Sequence, residues 1–140
     1  MFAIGAISIV IINLTAHAQA AVSEAGCATE AEKTFQDLGR EYAAVLERQN
    51  QPYEVVSNDY QSHYSAEARE CLLVVHKTTS LLRELSSIFY LIDAKRQMYA
   101  LYIDVNGKME TCSLLPSVQE ARTCKDRSEF DAFVAAYMER

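Results

Sequence analysis

The feature that most constrains the fold is a run of five apolar residues, Cys71-Leu72-Leu73-Val74-Val75, which follows a polar turn at residues 65–69. The run is too short to span a membrane and ends in β-branched residues, so it is typical of a central strand that is buried on both faces. The alternating segment before the turn, residues 53–64, predicts the partner strand of a β-hairpin. We therefore expect the rest of the chain to pack around this hairpin.

The N-terminus has the pattern of a secretory signal peptide. Residues 1–20 contain no Asp, Glu, Lys or Arg, and residues 2–12 form an apolar run of the expected length. Small residues follow at Ala16, Ala18 and Ala20, so we predict cleavage after Ala20 or, as second choice, after Ala18. The run lacks a preceding Lys or Arg, and a buried N-terminal helix is the alternative interpretation. Residues 21–140 are then expected to form a single periplasmic or secreted domain.

The charge balance argues against some partners. The chain has 13 Lys and Arg residues and 19 Asp and Glu residues, for a net charge of -6. Nucleic acid and anionic membranes attract basic proteins, so we expect neither of them as a partner once the signal peptide is removed. The oligomeric state stays open.

All four cysteines, Cys27, Cys71, Cys112 and Cys124, lie beyond the predicted signal peptide and would enter an oxidising compartment as two disulfides. A zinc site is the alternative, but there is no Cys-x-x-Cys motif and no histidine pair at metal spacing. We therefore predict no metal and no other cofactor. We predict the pairs Cys112–Cys124, which would close the loop before the last helix, and Cys27–Cys71, which would tie the first helix to the central strand. The main competitor joins Cys71 to Cys112.

The remaining segments predict an α+β fold. Apolar residues at three- and four-residue spacing indicate one helix from residue 29 to about 49, capped by Thr29, and a second from residue 128 to about 138, capped by Ser128. Five strands are predicted between them, at residues 53–64, 70–78, 88–92, 98–105 and 108–114. Asn106-Gly107 is the strongest hairpin signal. Residues 79–86 fit a helical turn or a continued strand, and residues 115–127 are expected to be a loop. We expect an antiparallel five-stranded meander stapled by the disulfides, with both helices on one face.

Three residues of the predicted hairpin, Tyr60, His63 and Tyr64, are candidate binding residues. Most of the eight tyrosines fall in predicted strands, so a sheet face left uncovered by the helices could present their rings to a protein or glycan. If the hairpin is symmetric about Glu67, His63 lies beside Cys71 on one face. The alternative is structural, with the tyrosines packed and His63 hydrogen-bonded beside the turn.

Catalytic chemistry has little support in the sequence. A nucleophile group of Asp59, His63 and Cys71 would need a free thiol, and paired cysteines leave none. No Gly-rich phosphate loop, nucleophile elbow or His-Glu-x-x-His motif is present. We therefore predict no catalytic residues and a non-enzymatic binding module, with an envelope or extracellular protein as its expected partner. The alternative function is a small envelope hydrolase or inhibitor-like domain that uses His63.

Several short motifs resemble those of a group of small exported bacterial proteins of unknown function. They are Ser62-His63-Tyr64 followed by Cys71, then Asp93-Ala94, Cys112, Cys124 and Glu129-Phe130-Asp131. In that group a Ser-His-Tyr-Asn stretch precedes a Lys-Cys-Phe strand, whereas here Ser65 replaces Asn, and Glu70 and Leu72 flank the cysteine. The resemblance covers about residues 60–138. It implies a periplasmic or secreted bacterial protein and brings no activity with it.

Overall fold

The computed structural model describes residues 23–117 and 120–140, so the predicted signal peptide lies outside the described residues. The elements in chain order are α1 (Glu24–Arg48), β1 (Tyr53–Ser65), β2 (Glu70–Leu81), β3 (Glu84–Asp93), β4 (Met98–Val105), β5 (Lys108–Ser117), β6 (Glu120–Thr123) and α2 (Arg127–Met138). The strands form one antiparallel sheet in the order β1-β2-β3-β4-β5-β6. The predicted α+β class and the sequential meander are confirmed.

The sheet has six strands where the sequence predicted five. The predicted loop at residues 115–127 contains the end of β5 and the short strand β6, which pair through Ser113 with Thr123 and Leu114 with Arg122. The backbone N–H of Cys124 also donates to the carbonyl of Cys112 at 3.3 Å. All four residues of β6 are exposed, so this strand has no apolar alternation by which it could be recognised.

The segment that the sequence left open, residues 79–86, is a continued strand. β2 runs to Leu81, and a two-residue turn of Leu82 and Arg83 leads directly into β3. Both turn residues have positive φ, 50° and 70°. Tight hairpins with this geometry favour Asn and Gly, which is why a Leu-Arg pair does not signal the turn.

The helices begin earlier than predicted because other residues cap them. The Ser23 hydroxyl accepts a hydrogen bond from the backbone N–H of Gly26 at 3.1 Å, so α1 starts at Glu24 instead of residue 29. In α2 the cap is Asp126, whose carboxylate accepts from the N–H of Glu129 at 3.0 Å.

The two helices lie on opposite faces of the sheet, so the expectation that both cover one face is wrong. Cys27 and Ala31 of α1 pack with the odd-numbered core residues of β2: Cys71, Leu73 and Val75. Phe130 of α2 packs with Leu72 on the other face. The physical reason is the apolar run of β2, which needs a cover on each side.

The structure pairs Cys27 with Cys71 and Cys112 with Cys124, as predicted, with Cα atoms 5.2 and 5.3 Å apart. The first disulfide joins the start of α1 to β2, and the second joins β5 to the residue after β6. The competing Cys71–Cys112 pair is therefore wrong. Two disulfides are compatible with an oxidising periplasmic or extracellular location.

Candidate ligand-binding cavity

The register of the β1–β2 hairpin decides where the predicted site residues lie. Tyr64 pairs with Cys71 and His63 pairs with Leu72. The predicted register, with His63 opposite Cys71, is therefore wrong by one residue. A slip of one residue reverses the face of every side chain, so His63 lies on the face of α2 and not on the face of Cys71.

Tyr60 and Tyr64 lie on the opposite face from His63 and pack beneath α1. The Tyr60 hydroxyl donates to Oε2 of Glu32 at 2.5 Å, and its ring centroid lies 4.5 Å from that of Phe35. This hydrogen bond lowers the pKa of Glu32 and raises the pKa of Tyr60. The structure therefore places the three candidate residues on two different surfaces.

His63 has an unusual environment. Its Nε2 atom is buried and has no hydrogen-bond partner, which is true of no other side-chain N or O atom in the described part of the chain. A buried unpaired polar atom costs stability, so this nitrogen is a local source of destabilisation.

A cavity of about 430 Å³ lies between α1 and β1. Phe35 and Tyr42 of α1 and Tyr53 and Val55 of β1 contribute apolar and aromatic walls. β1 has an irregularity beside this wall, since its pairing with β2 shifts register between Val55 and Ser57. Such bulges bend a strand and are frequent beside functional sites.

Two of the α1 residues that line the cavity have a short side chain or none. Gly39 and Ala43, one helical turn apart, both line it. A Cβ atom added to Gly39 would meet no heavy atom within 4 Å. Glycine in a helix interior costs about 1 kcal/mol relative to alanine, so the open space is obtained at a cost in helix stability.

Lys77 of β2 also lines the cavity and is only 7 % exposed. Its Nζ lies 4.3 Å from the centroid of the Tyr42 ring, and the Tyr42 hydroxyl is held 3.3 Å from Oγ1 of Thr79. No carboxylate within residues 23–117 and 120–140 forms a salt bridge with this ammonium, and none of their side chains hydrogen-bonds to it. Burial lowers the pKa of Lys77.

The charge of the lining is opposite to that of the whole chain. Among the lining residues, Lys77 and Arg40 are cations and none is a carboxylate, although the chain has a net charge of -6. Arg40 is exposed and forms an ion pair with Asp37. In the described part of the chain, Lys77 is therefore the cation of this cavity that lacks a carboxylate partner.

The opposite face of the sheet carries a chain of hydrogen bonds that resembles a catalytic relay. Asp59 Oδ2 lies 3.3 Å from His76 Nδ1, and His76 Nε2 lies 3.0 Å from Thr78 Oγ1. Thr78 Oγ1 in turn lies 3.0 Å from Ser87 Oγ. Thr78 is buried on β2, which pairs with β1 and β3. The backbone N–H groups around it therefore form hydrogen bonds within the sheet and do not form an oxyanion hole. The chain of contacts is best understood as a link between β1, β2 and β3.

The residues that the sequence did not single out are Lys77 and the pair Gly39 and Ala43. A lone lysine in a strand is usually solvent-exposed. One signal was available, because Lys77 is separated by even steps from Cys71, Leu73 and Val75 and so shares their buried face. The spacing of Gly39 and Ala43 gives no comparable signal.

Comparison of the chain with protein-family models, with curated proteins and with solved structures finds no match. No helix in the described residues is long and apolar enough to cross a membrane. Nor do residues 23–117 and 120–140 contain a group of three or more His, Cys, Asp or Glu side chains placed to hold a metal ion.

Proposed function

We propose that the protein is a non-enzymatic binding module of the periplasm or extracellular space, and that the cavity between α1 and β1 holds its ligand. The observation that carries the proposal is the cavity itself, walled by aromatic side chains and left open by Gly39 and Ala43. The two disulfides, the predicted signal peptide and the resemblance to exported bacterial proteins support the location.

The dimensions of the cavity favour a small molecule. Ligand pockets in proteins typically enclose about 300–1,000 Å³ and combine apolar walls with a few polar groups that fix orientation. The cavity of about 430 Å³ falls in this range, and the buried residue Lys77 is part of its lining. A protein partner that reads the tyrosines has less support, because Tyr60 and Tyr64 pack beneath α1.

The alternative function, a hydrolase that uses His63 with a nearby carboxylate, also has less support. His63 pairs with Leu72, and its Nε2 is buried without a partner. Within the described residues no carboxylate lies within salt-bridge distance of its ring. A general base needs a partner that orients it and access to the proton that it removes.

Blocking the cavity tests the proposal. Binding of a mixture of small organic fragments is followed by NMR in the wild type and in Gly39→Leu, which places a side chain in the open space. Ala28→Leu, at an exposed position of the same helix, is the matched control. We expect fragments to shift the signals of Tyr42 and Tyr53 in the wild type and in Ala28→Leu, but not in Gly39→Leu.

Two results would contradict the proposed function. One is the absence of any fragment that shifts cavity residues in the wild type. The other is hydrolysis of an ester substrate that is lost in His63→Ala while Gly39→Leu retains it, since this would move the function to His63.

A further inference from the structure

We infer that the ligand of the α1–β1 cavity is a monocarboxylate with an apolar body, bound through its carboxylate to the ammonium of Lys77. The inference rests on the proposed function and adds the chemical class of the ligand. It depends on the charge, the burial and the wall residues of the cavity.

The charge argument begins with the ammonium of Lys77. A cation that is partly removed from water loses part of its hydration energy, and proteins usually compensate this loss with a carboxylate partner. Lys77 as a residue is 7 % exposed and has no carboxylate partner within the described ranges, although its Nζ is less completely enclosed than Nε2 of His63. Its contact with the face of the Tyr42 ring is a weak substitute. An anion in the cavity would supply the missing partner.

The number of unpaired cations sets the charge of the ligand. Of the two cations that line the cavity, Arg40 is paired with Asp37, and Lys77 contributes one positive charge with no carboxylate partner in the described ranges. A dianion such as a phosphate monoester would leave one charge uncompensated in a partly desolvated site, which is costly. A single carboxylate matches Lys77 in charge.

Asn58 gives the carboxylate a second partner. It is the register partner of Lys77 on β1 and also lines the cavity. Side chains directly opposite in an antiparallel pair have Cβ atoms about 4.5–5.5 Å apart, close enough to serve the two oxygens of one carboxylate. The Lys77 ammonium and the Asn58 amide both donate hydrogen bonds.

The walls define the rest of the ligand. Phe35, Tyr42, Tyr53 and Val55 offer apolar contact on both sides of the cavity, and Gly39 leaves room between them. Burial of alkyl or aryl surface against these residues would add to the affinity. A carboxylate alone, such as acetate, would not use this surface.

The affinity should also depend on pH through Lys77. Burial lowers the pKa of this lysine, and a bound anion favours the charged ammonium. Binding therefore takes up a proton at pH values near the pKa of Lys77, and the affinity falls as pH rises through that pKa.

The test compares four probes with one alkyl chain: octanoate, octanol, octylamine and octyl phosphate. Their dissociation constants are measured by calorimetry and NMR on the wild type, Lys77→Met, Lys77→Arg and Lys33→Met, the last being a control at an exposed lysine of α1. A charge-assisted hydrogen bond supports a preference of about tenfold or more for octanoate over octanol in the wild type. We expect Lys77→Met to abolish this preference, Lys77→Arg to retain part of it and Lys33→Met to leave it unchanged. Thermal melting of each variant is the control for folding.

The outcomes separate the two proposals. Equal binding of octanoate and octanol, or a preference for octylamine or octyl phosphate, overturns the carboxylate inference and leaves the cavity as a binding site. Octanoate binding that is the same in Lys77→Met overturns the role of Lys77. If none of the four probes shifts Tyr42 or Tyr53 and the fragment mixture also fails, the inference and the proposed function are both wrong.

Discussion

Gly39→Ala should make the protein more stable, although it adds a side chain to the wall of the cavity. Gly39 lies in the interior of α1, where alanine is preferred over glycine by about 1 kcal/mol. The added Cβ would have no heavy atom within 4 Å, so no clash opposes the gain and little new burial adds to it. We therefore expect the free energy of unfolding to rise by about 1 kcal/mol, and the melting temperature by about 4 °C for a domain of this size.

Urea unfolding followed by far-UV circular dichroism, with the disulfides intact, measures this change. Gly26→Ala is the matched control, because its Cβ would lie 3.4 Å from the Ser23 hydroxyl that caps α1. Its gain should be smaller than that of Gly39→Ala. Refutation would come from an unchanged or lower stability of Gly39→Ala, which would mean that the space beside Gly39 is filled.

Three further predictions concern a disulfide, His63 and Lys77. Replacing Cys27 and Cys71 by alanine removes a crosslink of sequence separation 44 and should lower the free energy of unfolding by about 4 kcal/mol on the chain-entropy model. Urea titration measures this change, and a decrease of less than about 1 kcal/mol would contradict the link between α1 and β2. His63→Leu removes the unpaired Nε2 and should raise the free energy of unfolding by about 1 kcal/mol. A lower free energy of unfolding in the same titration would show that the imidazole ring makes a stabilising contact. Lys77→Met should be more stable than the wild type at neutral pH. Because burial lowers the pKa of Lys77, the unfolded wild type binds more protons just below the ordinary lysine pKa of about 10.4, so wild-type stability relative to the variant should rise with pH there. A difference between the two proteins that does not vary with pH would oppose this explanation.

The strand order and the Cys112–Cys124 disulfide could be predicted because their signals are local, and the Cys27–Cys71 disulfide then follows as the remaining pair. Asn106 and Gly107 have φ of 52° and 76°, and Val105 pairs with Lys108 across a two-residue turn. Once consecutive strands are neighbours, Cys71 and Cys112 lie on β2 and β5 and cannot meet, which removes one of the three possible connectivities. Turn chemistry gave the strand order, and closure of the loop between Cys112 and Cys124 gave the choice between the remaining two connectivities.

The helix faces and the hairpin register could not be predicted in the same way. The turn before β2 leaves four residues between Ser65 and Glu70, with Arg69 at a φ of 54°. A polar turn sequence does not indicate how many residues the turn contains, and an error of one residue in the register moves His63 to the other face of the sheet. The apolar run of β2 predicted that both faces of the sheet are covered, and the structure agrees with this prediction and not with the expectation that both helices cover one face.

The candidate site was missed because it depends on a buried lysine, whereas lysines are mostly exposed. Lysine and asparagine are mostly exposed, and Gly39 lies near the Lys77–Asn58 pair only because α1 lies over β1. The position of a helix on a sheet is a tertiary property. Alternation along β2 places Lys77 on the buried face, but it does not show that the lysine lacks a partner there.

The most direct test of the account is the pKa of Lys77, measured by NMR titration of its Cε carbon in the free protein and in the presence of octanoate, with exposed Lys33 as an internal reference. The account predicts a Lys77 pKa below that of Lys33 in the free protein, because burial disfavours the charged amine, and a rise on addition of octanoate, because the carboxylate stabilises the ammonium. A Lys77 pKa at the ordinary value of about 10.4 that octanoate does not change would contradict it.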